Sequence, residues 1–227
     1  MICLSLIESK VDDLVRIANS VDSDLVEIRF DFLSDTDKIG KLQMIKKPII
    51  ITCMPEWENG NFGGDEEKRV AILLKAMKFS DYVTVELNTK EDLRTRLIRE
   101  AKKRNVKTIV SYHDFEKTPA KGRIMEILDM EKKVGADIAK VAFMAKDYGD
   151  VLRLMQILNV NVKKNDNKFG IPIIAISMGK VGTISRILAP LLGSYLTYAS
   201  AEKGMESAQG QLTVKELKQI LGILKND

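Results

Sequence analysis

A closed barrel of eight parallel strands, each followed by a helix, is the fold this sequence predicts. Eight short β-rich runs alternate with helical stretches along the 227 residues, and no linker, low-complexity tract or repeat interrupts them. Strands separated by helices pair in parallel through right-handed crossovers. Eight such units in this length suit a closed (β/α)8 TIM barrel better than an open doubly wound sheet. One α/β domain over residues 1–227 is therefore expected, long enough to bury a substantial core and too short for a second domain.

In chain order the predicted strands are ICLSLI (2–7), LVEIRFDFL (25–33), PIIITCM (48–54), YVTVEL (82–87), KTIVSYHDF (107–115), IAKVAFM (138–144), IPIIAISMG (171–179) and SYLTYAS (194–200). Between them apolar residues recur at helical spacing in VDDLVRIAN, EEKRVAILLKAMKF, EDLRTRLIREAKKRN, GRIMEILDMEKKVG, DVLRLMQILNV and TISRILAPLL, and TVKELKQILGILK ends the chain. The segment after the second strand has the weakest helical pattern. The glycine-rich turn GNFGG (60–64) is expected to form a mobile loop over the barrel mouth.

Composition narrows the function. The formal charge of +4 comes from acids and bases mixed along the whole chain, so the surface is mildly basic and has no polyanion-binding stripe; nucleic acid is not an expected partner. Cys3 and Cys53 give no disulfide framework, no CxxC and no metal-ligand spacing, which fits a reducing cytoplasm. The start MICLSLIESK has no basic leader, and no apolar run reaches the ~18 residues of a membrane span. Neither export nor insertion is expected. No GxGxxG or GxxxxGK[ST] stands at a strand-to-helix turn, which counts against a dinucleotide or P-loop site.

Strand periodicity selects the candidate residues. Successive side chains point to opposite faces, so one parity packs on the helices and the other enters the barrel. In the second strand Ile28, Phe30 and Phe32 form the apolar parity, leaving Glu27, Arg29 and Asp31 inward. In the fifth, Val110 and Tyr112 alternate with Ser111 and His113; in the sixth, Ala139, Val141 and Phe143 alternate with Lys140. Buried lone charges are costly, so these groups and Glu86 must pair with one another or with a ligand. A self-satisfied ion-pair network is the bland reading. Polar residues near the C-terminal ends of several strands favour a site. Desolvation and a nearby positive charge such as Arg29 would favour the neutral Lys140 amine that an imine requires. His113, the single histidine, is an acid/base candidate or a hydrogen-bonded rim residue. Adjacent strands would bring imidazole and amine to one end of the barrel.

These residues lie in the strings EIRFDFL (27–33), SYHDFEKTP (111–119), DIAKVAFM (137–144), SMGKVGTISR (177–186) and ESAQGQL (206–212), whose order and spacing resemble the type I 3-dehydroquinases from end to end. The resemblance implies a cofactor-free and metal-free barrel enzyme, usually a homodimer, that dehydrates 3-dehydroquinate to 3-dehydroshikimate through a lysine imine. It implies that Lys140 forms the imine and that His113 is the general acid and base. It assigns substrate contacts to Glu27, Arg29, Arg186, Met178, Ser207 and Gln211, and more loosely to Ser5.

Three departures stand out. Met54 occupies the place of a usual arginine after the third strand, removing one positive contact. Glu58 aligns with the glutamate that assists the histidine, but Asn59-Gly60 follows it in place of Gly-Gly, and Glu56 is a nearby competitor. The closing loop reads SAQGQ and not SAPGQ, a loss of proline that frees the chain by roughly 0.4–1 kcal/mol. The rival readings are a class I aldolase, which shares the lysine imine but needs a phosphate site near strands seven and eight, and a non-catalytic barrel used as a binding module.

Overall fold

The computed structural model describes residues 1–163 and 166–225. In chain order these form β1 (Ile2–Leu6), α1 (Val11–Ser20), β2 (Leu25–Arg29), β3 (Ile49–Thr52), α2 (Glu66–Ala76), β4 (Tyr82–Glu86), α3 (Glu91–Lys103), β5 (Lys107–Asp114), α4 (Lys121–Lys133), β6 (Ile138–Met144), α5 (Tyr148–Asn161), β7 (Ile173–Met178), α6 (Gly179–Gly182), α7 (Ser185–Leu191), β8 (Thr197–Ala199) and α8 (Val214–Lys225). A two-residue strand pair, Val162–Lys163 with Asp166–Asn167, follows α5.

The eight barrel strands run parallel in one ladder from β8 through β1 to β7. The remaining seam, between β7 and β8, is closed by Tyr195 N donating to Ile173 O at 2.8 Å and by Ala175 N donating to Ser194 Oγ at 3.4 Å. The architecture is the expected (β/α)8 barrel. Among the described residues no helix is long and apolar enough to cross a membrane.

Strand alternation divides the hydrophobic residues. Outward Ala139, Val141 and Phe143 of β6 pack with Ile124, Ile127 and Leu128 of α4 and with Leu154 and Leu158 of α5. Inward Cys3, Leu25, Ile50, Ile109, Ile138 and Ile174 plug the lower barrel. Above that plug lies a buried polar layer that includes Ser5, Glu27, Thr52, Thr84, Glu86, Ser111 and Lys140. The apolar plug excludes water from below, so every charge in the layer must be balanced inside the barrel or at its mouth.

One local expectation is corrected, and two segments gain a definite form. β2 ends at Arg29, where the turn bonds Phe32 N to Arg29 O and Leu33 N to Phe30 O break the alternation. Phe32 is therefore only half-buried and lies under the Arg29 guanidinium, 5.0 Å from its carbon to the ring centroid. Asp31 stays buried but sits in the turn beyond the strand. The weak segment after β2 is a 3-10 helix over Thr36–Met44, with Ile39 and Leu42 buried. Apolar residues three apart match three residues per turn, which explains the poor α-helical pattern. In 60–64, Asn61 N donates to Asp31 Oδ2 at 3.0 Å, and Phe62 forms a bridge with Pro55.

Glu131 continues the buried stripe of α4 after Ile124, Ile127 and Leu128, and it is fully buried. Among the described residues neither of its carboxyl oxygens makes a hydrogen bond. Burial raises its carboxyl well above the ordinary value. The folded-state value exceeds the unfolded one, so Glu131 supports the fold below the ordinary carboxyl range and withdraws that support as pH climbs toward the raised value. Glu131→Met is expected to stabilise the protein by ~1–3 kcal/mol at pH 8 and by less at pH 5. Urea midpoints at the two pH values test this, and a gain independent of pH would contradict a neutral Glu131.

Candidate active site

The C-terminal ends of β5 and β6 present the two reactive side chains. Their ladder pairs Ser111 with Lys140 and His113 with Ala142, so the imidazole stands one layer above the amine on the neighbouring strand. Both line a cavity of about 370 Å³ at the barrel mouth. Lys140 is 7% exposed. Among the described residues its Nζ has no hydrogen bond or ion pair, and it lies 4.6 Å from the centroid of the Tyr198 ring. A cation over an aromatic face is held without being consumed by a carboxylate.

His113 Nδ1 lies 2.5 Å from Glu58 Oε2, and its ring stacks on Phe115 at 5.8 Å. Glu58 closes the short 3-10 turn Glu56–Glu58 and is buried, whereas Glu56 is exposed and its carboxyl faces Gly63. Glu58 is thus the glutamate on the histidine. Asn59 follows in the left-handed region at φ +54 and turns the chain so that Gly60 meets the Met54 carbonyl, where an added Cβ would lie 2.0 Å from the oxygen. Glycine is required there. Burial raises the Glu58 carboxyl to about 8, and burial followed by the Lys140 charge lowers the His113 imidazole to about 3. Both shifts favour an uncharged pair at neutral pH.

The opposite wall carries Arg186 on α7. It is 2% exposed, yet among the described residues its guanidinium donates only to backbone, Nε to Gly210 O at 3.0 Å and Nη2 to Gln209 O at 3.2 Å, with no carboxylate partner. Burial alone lowers it to about 10. A buried guanidinium lacking a carboxylate partner, set in a cavity wall, is chemically suited to receive an anion.

Glu27 accepts from Ser5 Oγ at 2.6 Å and from Thr52 Oγ1 at 2.9 Å. Arg29 makes a two-bond fork with Asp31, at 2.8 and 2.6 Å. Asp31 also accepts from the Met54 and Asn61 amides, so it shapes the loop after β3 and does not line the cavity. Glu86 lines the cavity floor and pairs with Arg69 Nη1 at 2.5 Å. Arg69, fully buried, also binds Glu66, Thr89 and the Cys53 carbonyl.

Of the residues singled out from sequence, Lys140, His113, Glu27, Arg29, Arg186, Met178, Ser207 and Gln211 line the one cavity, and Glu58 abuts it through His113. Ser5 does not line it; its hydroxyl is spent on Glu27 and Ser207. Met54 does line it. Sequence reasoning missed Thr52, Thr84 and Tyr198 as cavity residues. Alternation against Ile51, Val83 and Val85 would have found both threonines. Tyr198 carries no comparable signal, because apolar and aromatic residues also fill the plug below it.

A family model for type I 3-dehydroquinase matches residues 2–227. The chain belongs to the type I 3-dehydroquinase family. Like that family it is an enzyme and a single barrel. It is similar to a 3-dehydroquinate dehydratase of Methanococcoides burtonii, 41% identical over 210 residues that cover 89% of this chain and 85% of the relative. A second, from Methanococcus maripaludis, is 38% identical over 227 residues, covering 99% of this chain and 100% of the relative. Among solved structures, a type I 3-dehydroquinate dehydratase from Clostridium difficile with covalently modified comenic acid has a TM-score of 0.85 at 29% identity. That match covers 98% of this chain and 91% of the other.

The Arg69–Glu86 pair is a support of this dehydroquinase barrel. Arg69→Met strips Glu86 of its counter-ion in a dry site and also frees Glu66, Thr89 and the Cys53 carbonyl, and it is expected to cost ~3–5 kcal/mol in denaturant unfolding, part of it recovered by adding Glu86→Met. Equal losses in the single and double variants would contradict this account.

Proposed function

We propose that this chain removes water from 3-dehydroquinate to give 3-dehydroshikimate through an imine on Lys140, with His113 as general acid and base. The observation that carries this reading is the convergence on one cavity of an imidazole with an amine and a guanidinium that have no carboxylate partner among the described residues. Arg186 would take the substrate carboxylate in a two-bond fork. Glu27 and Arg29 would hold ring hydroxyls, with Gln211 and Ser207 above. Met178 and Met54 supply apolar walls.

The Lys140 amine adds to the C3 ketone, and loss of water leaves an iminium whose positive nitrogen acidifies the C2 proton. His113 takes that proton. The resulting enamine expels the C1 hydroxyl, which leaves as water with a proton from His113. Hydrolysis of the product iminium returns the amine, so one water is lost overall. The cytoplasm, a homodimer and a place in aromatic amino acid biosynthesis belong to the same reading, supported by the family likeness.

Glu58 sets the tautomer. While its carboxyl holds a proton it donates to Nδ1, and the imidazole proton then sits on Nε2. Once deprotonated it accepts from Nδ1–H and leaves a lone pair on Nε2. Because burial raises Glu58 to about 8, kcat/KM is expected to rise with pH, by roughly tenfold per unit below that value, and then level off. Glu58→Gln, which can accept from Nδ1–H at any pH, should flatten this limb; a wild-type profile flat from pH 6 to 9 would contradict the assignment.

The reaction itself is tested by borohydride reduction in the presence of 3-dehydroquinate, with mass spectrometry to locate the adduct and absorbance to follow the enone. The expected adduct is on Lys140, absent in Lys140→Ala, and it accumulates in a His113→Ala protein that forms the imine slowly and fails to turn over. A fully active Lys140→Ala protein would overturn the mechanism.

A further inference from the structure

The Lys140 amine meets an aromatic face where a carboxylate would be its ordinary partner. Nζ stands 4.6 Å from the centroid of the Tyr198 ring, inside the ~6 Å over which a cation is drawn to a π-face. The nearby carboxylates are engaged elsewhere: Glu27 accepts from Ser5 and Thr52, Glu86 from Arg69, and Glu58 is bonded to His113. Among the described residues none of them pairs with Nζ.

The ring is fixed in that place by the fold. Tyr198 lies on β8 and pairs with Cys3 in the ladder, while Lys140 pairs with Ile174 of β7, the strand between β6 and β8. The ring therefore reaches across β7 to the amine, and it packs in the plug with Cys3, Ile174 and Ile176. It is 3% exposed. The Tyr198 hydroxyl has no hydrogen bond among the described residues, and burial together with the Glu27 charge pushes its ionisation well above the ordinary value. What Nζ meets is thus a neutral ring, packed in position before any reaction and needing no reorganisation during it.

We propose that Tyr198 is a further catalytic residue, whose ring face carries the positive charge of the Lys140 imine. This role rests on the reaction proposed above. There the ammonium gives one proton to His113 and adds to the C3 ketone, a second N–H proton passing to the oxygen. The C3–oxygen bond of the carbinolamine then breaks, the nitrogen lone pair closes the C=N bond, and the hydroxyl leaves as water with the proton returned by His113. Charge vanishes from nitrogen at addition and reappears in the iminium. An ammonium has three N–H donors to offer to water at the mouth, whereas the iminium has one and lies under the substrate, with the apolar plug below. A cation–π contact strengthens as the cation is desolvated, so the face counts for more in the iminium than in the free lysine. It raises the population of the species from which the C2 proton is lost.

The test is Tyr198→Phe in the full chain, followed by the same substitution with phenylalanines bearing one, two and three ring fluorines. Each fluorine draws electron density from the face at nearly constant shape. The readout is the initial rate at which borohydride labels Lys140 at saturating 3-dehydroquinate, with kcat/KM followed by enone absorbance. Labelling is expected to fall stepwise with each fluorine, and kcat/KM in the same order, while the urea midpoint stays level. Tyr198→Leu, which has no face, should lower labelling by roughly five- to thirtyfold. Should that variant fold poorly, the fluorinated series alone decides. A labelling rate indifferent to fluorine, or one that falls only where the urea midpoint falls, overturns the role; a raised KM with level labelling makes the ring a substrate wall instead. Wild-type labelling and turnover without a trend in the series strike Tyr198 and leave the Lys140 reaction standing. Absence of wild-type labelling strikes that reaction, and this role with it.

Discussion

The buried polar layer above an apolar plug is the constraint from which the rest of the site follows. Cys3, Leu25, Ile50, Ile109, Ile138 and Ile174 shut the barrel from below, so Glu27, Glu86 and Lys140 have no water beneath them. Each must then be balanced by protein or by what enters from the mouth. Glu86 is balanced by Arg69, and Glu27 by hydroxyl donors. Among the described residues Lys140 and Arg186 have no carboxylate partners, and in the proposed reaction those are the two groups that a keto acid would engage, one at its ketone and one at its carboxylate.

The same dryness governs the Glu58–His113 pair. Two ionisable groups 2.5 Å apart, both pushed by burial toward their neutral forms, behave as one unit with one mobile proton. A lone histidine near its ordinary value would already be partly protonated at neutral pH. Here burial favours the uncharged ring, and in the proposed mechanism the glutamate would decide which ring nitrogen carries the proton.

Much of this was legible in the chain. Period-two alternation placed Glu27, Ser111 and Lys140 inside the barrel, and the alternation of strand and helix gave the correct strand order. What the pattern could not give was anything beyond the strand ends. Asp31 and Phe32 were misread because the turn after Arg29 leaves no mark in hydrophobicity. Ser5 is a looser contact by resemblance alone, and its place below the cavity, bonded to Glu27 and Ser207, depends on the register of β1, which spacing does not give. The choice between Glu58 and Glu56 needed the 3-10 turn and the left-handed Asn59, neither of which a spacing argument reaches.

The seam between β7 and β8 gives the barrel a stiff side and a soft side. The longest strand ladders run from β5 through β6 to β7, and they carry His113 and Lys140. The seam is bridged by one backbone bond and one serine, and it is flanked by Arg186 and by the segment bearing Ser207 and Gln211. His113 and Lys140 thus ride on the wall with the densest ladder, and Arg186, Ser207 and Gln211 stand beside the thinnest join. Loosening confined to that join would change the width of the doorway while leaving the ladder that aligns amine and imidazole intact.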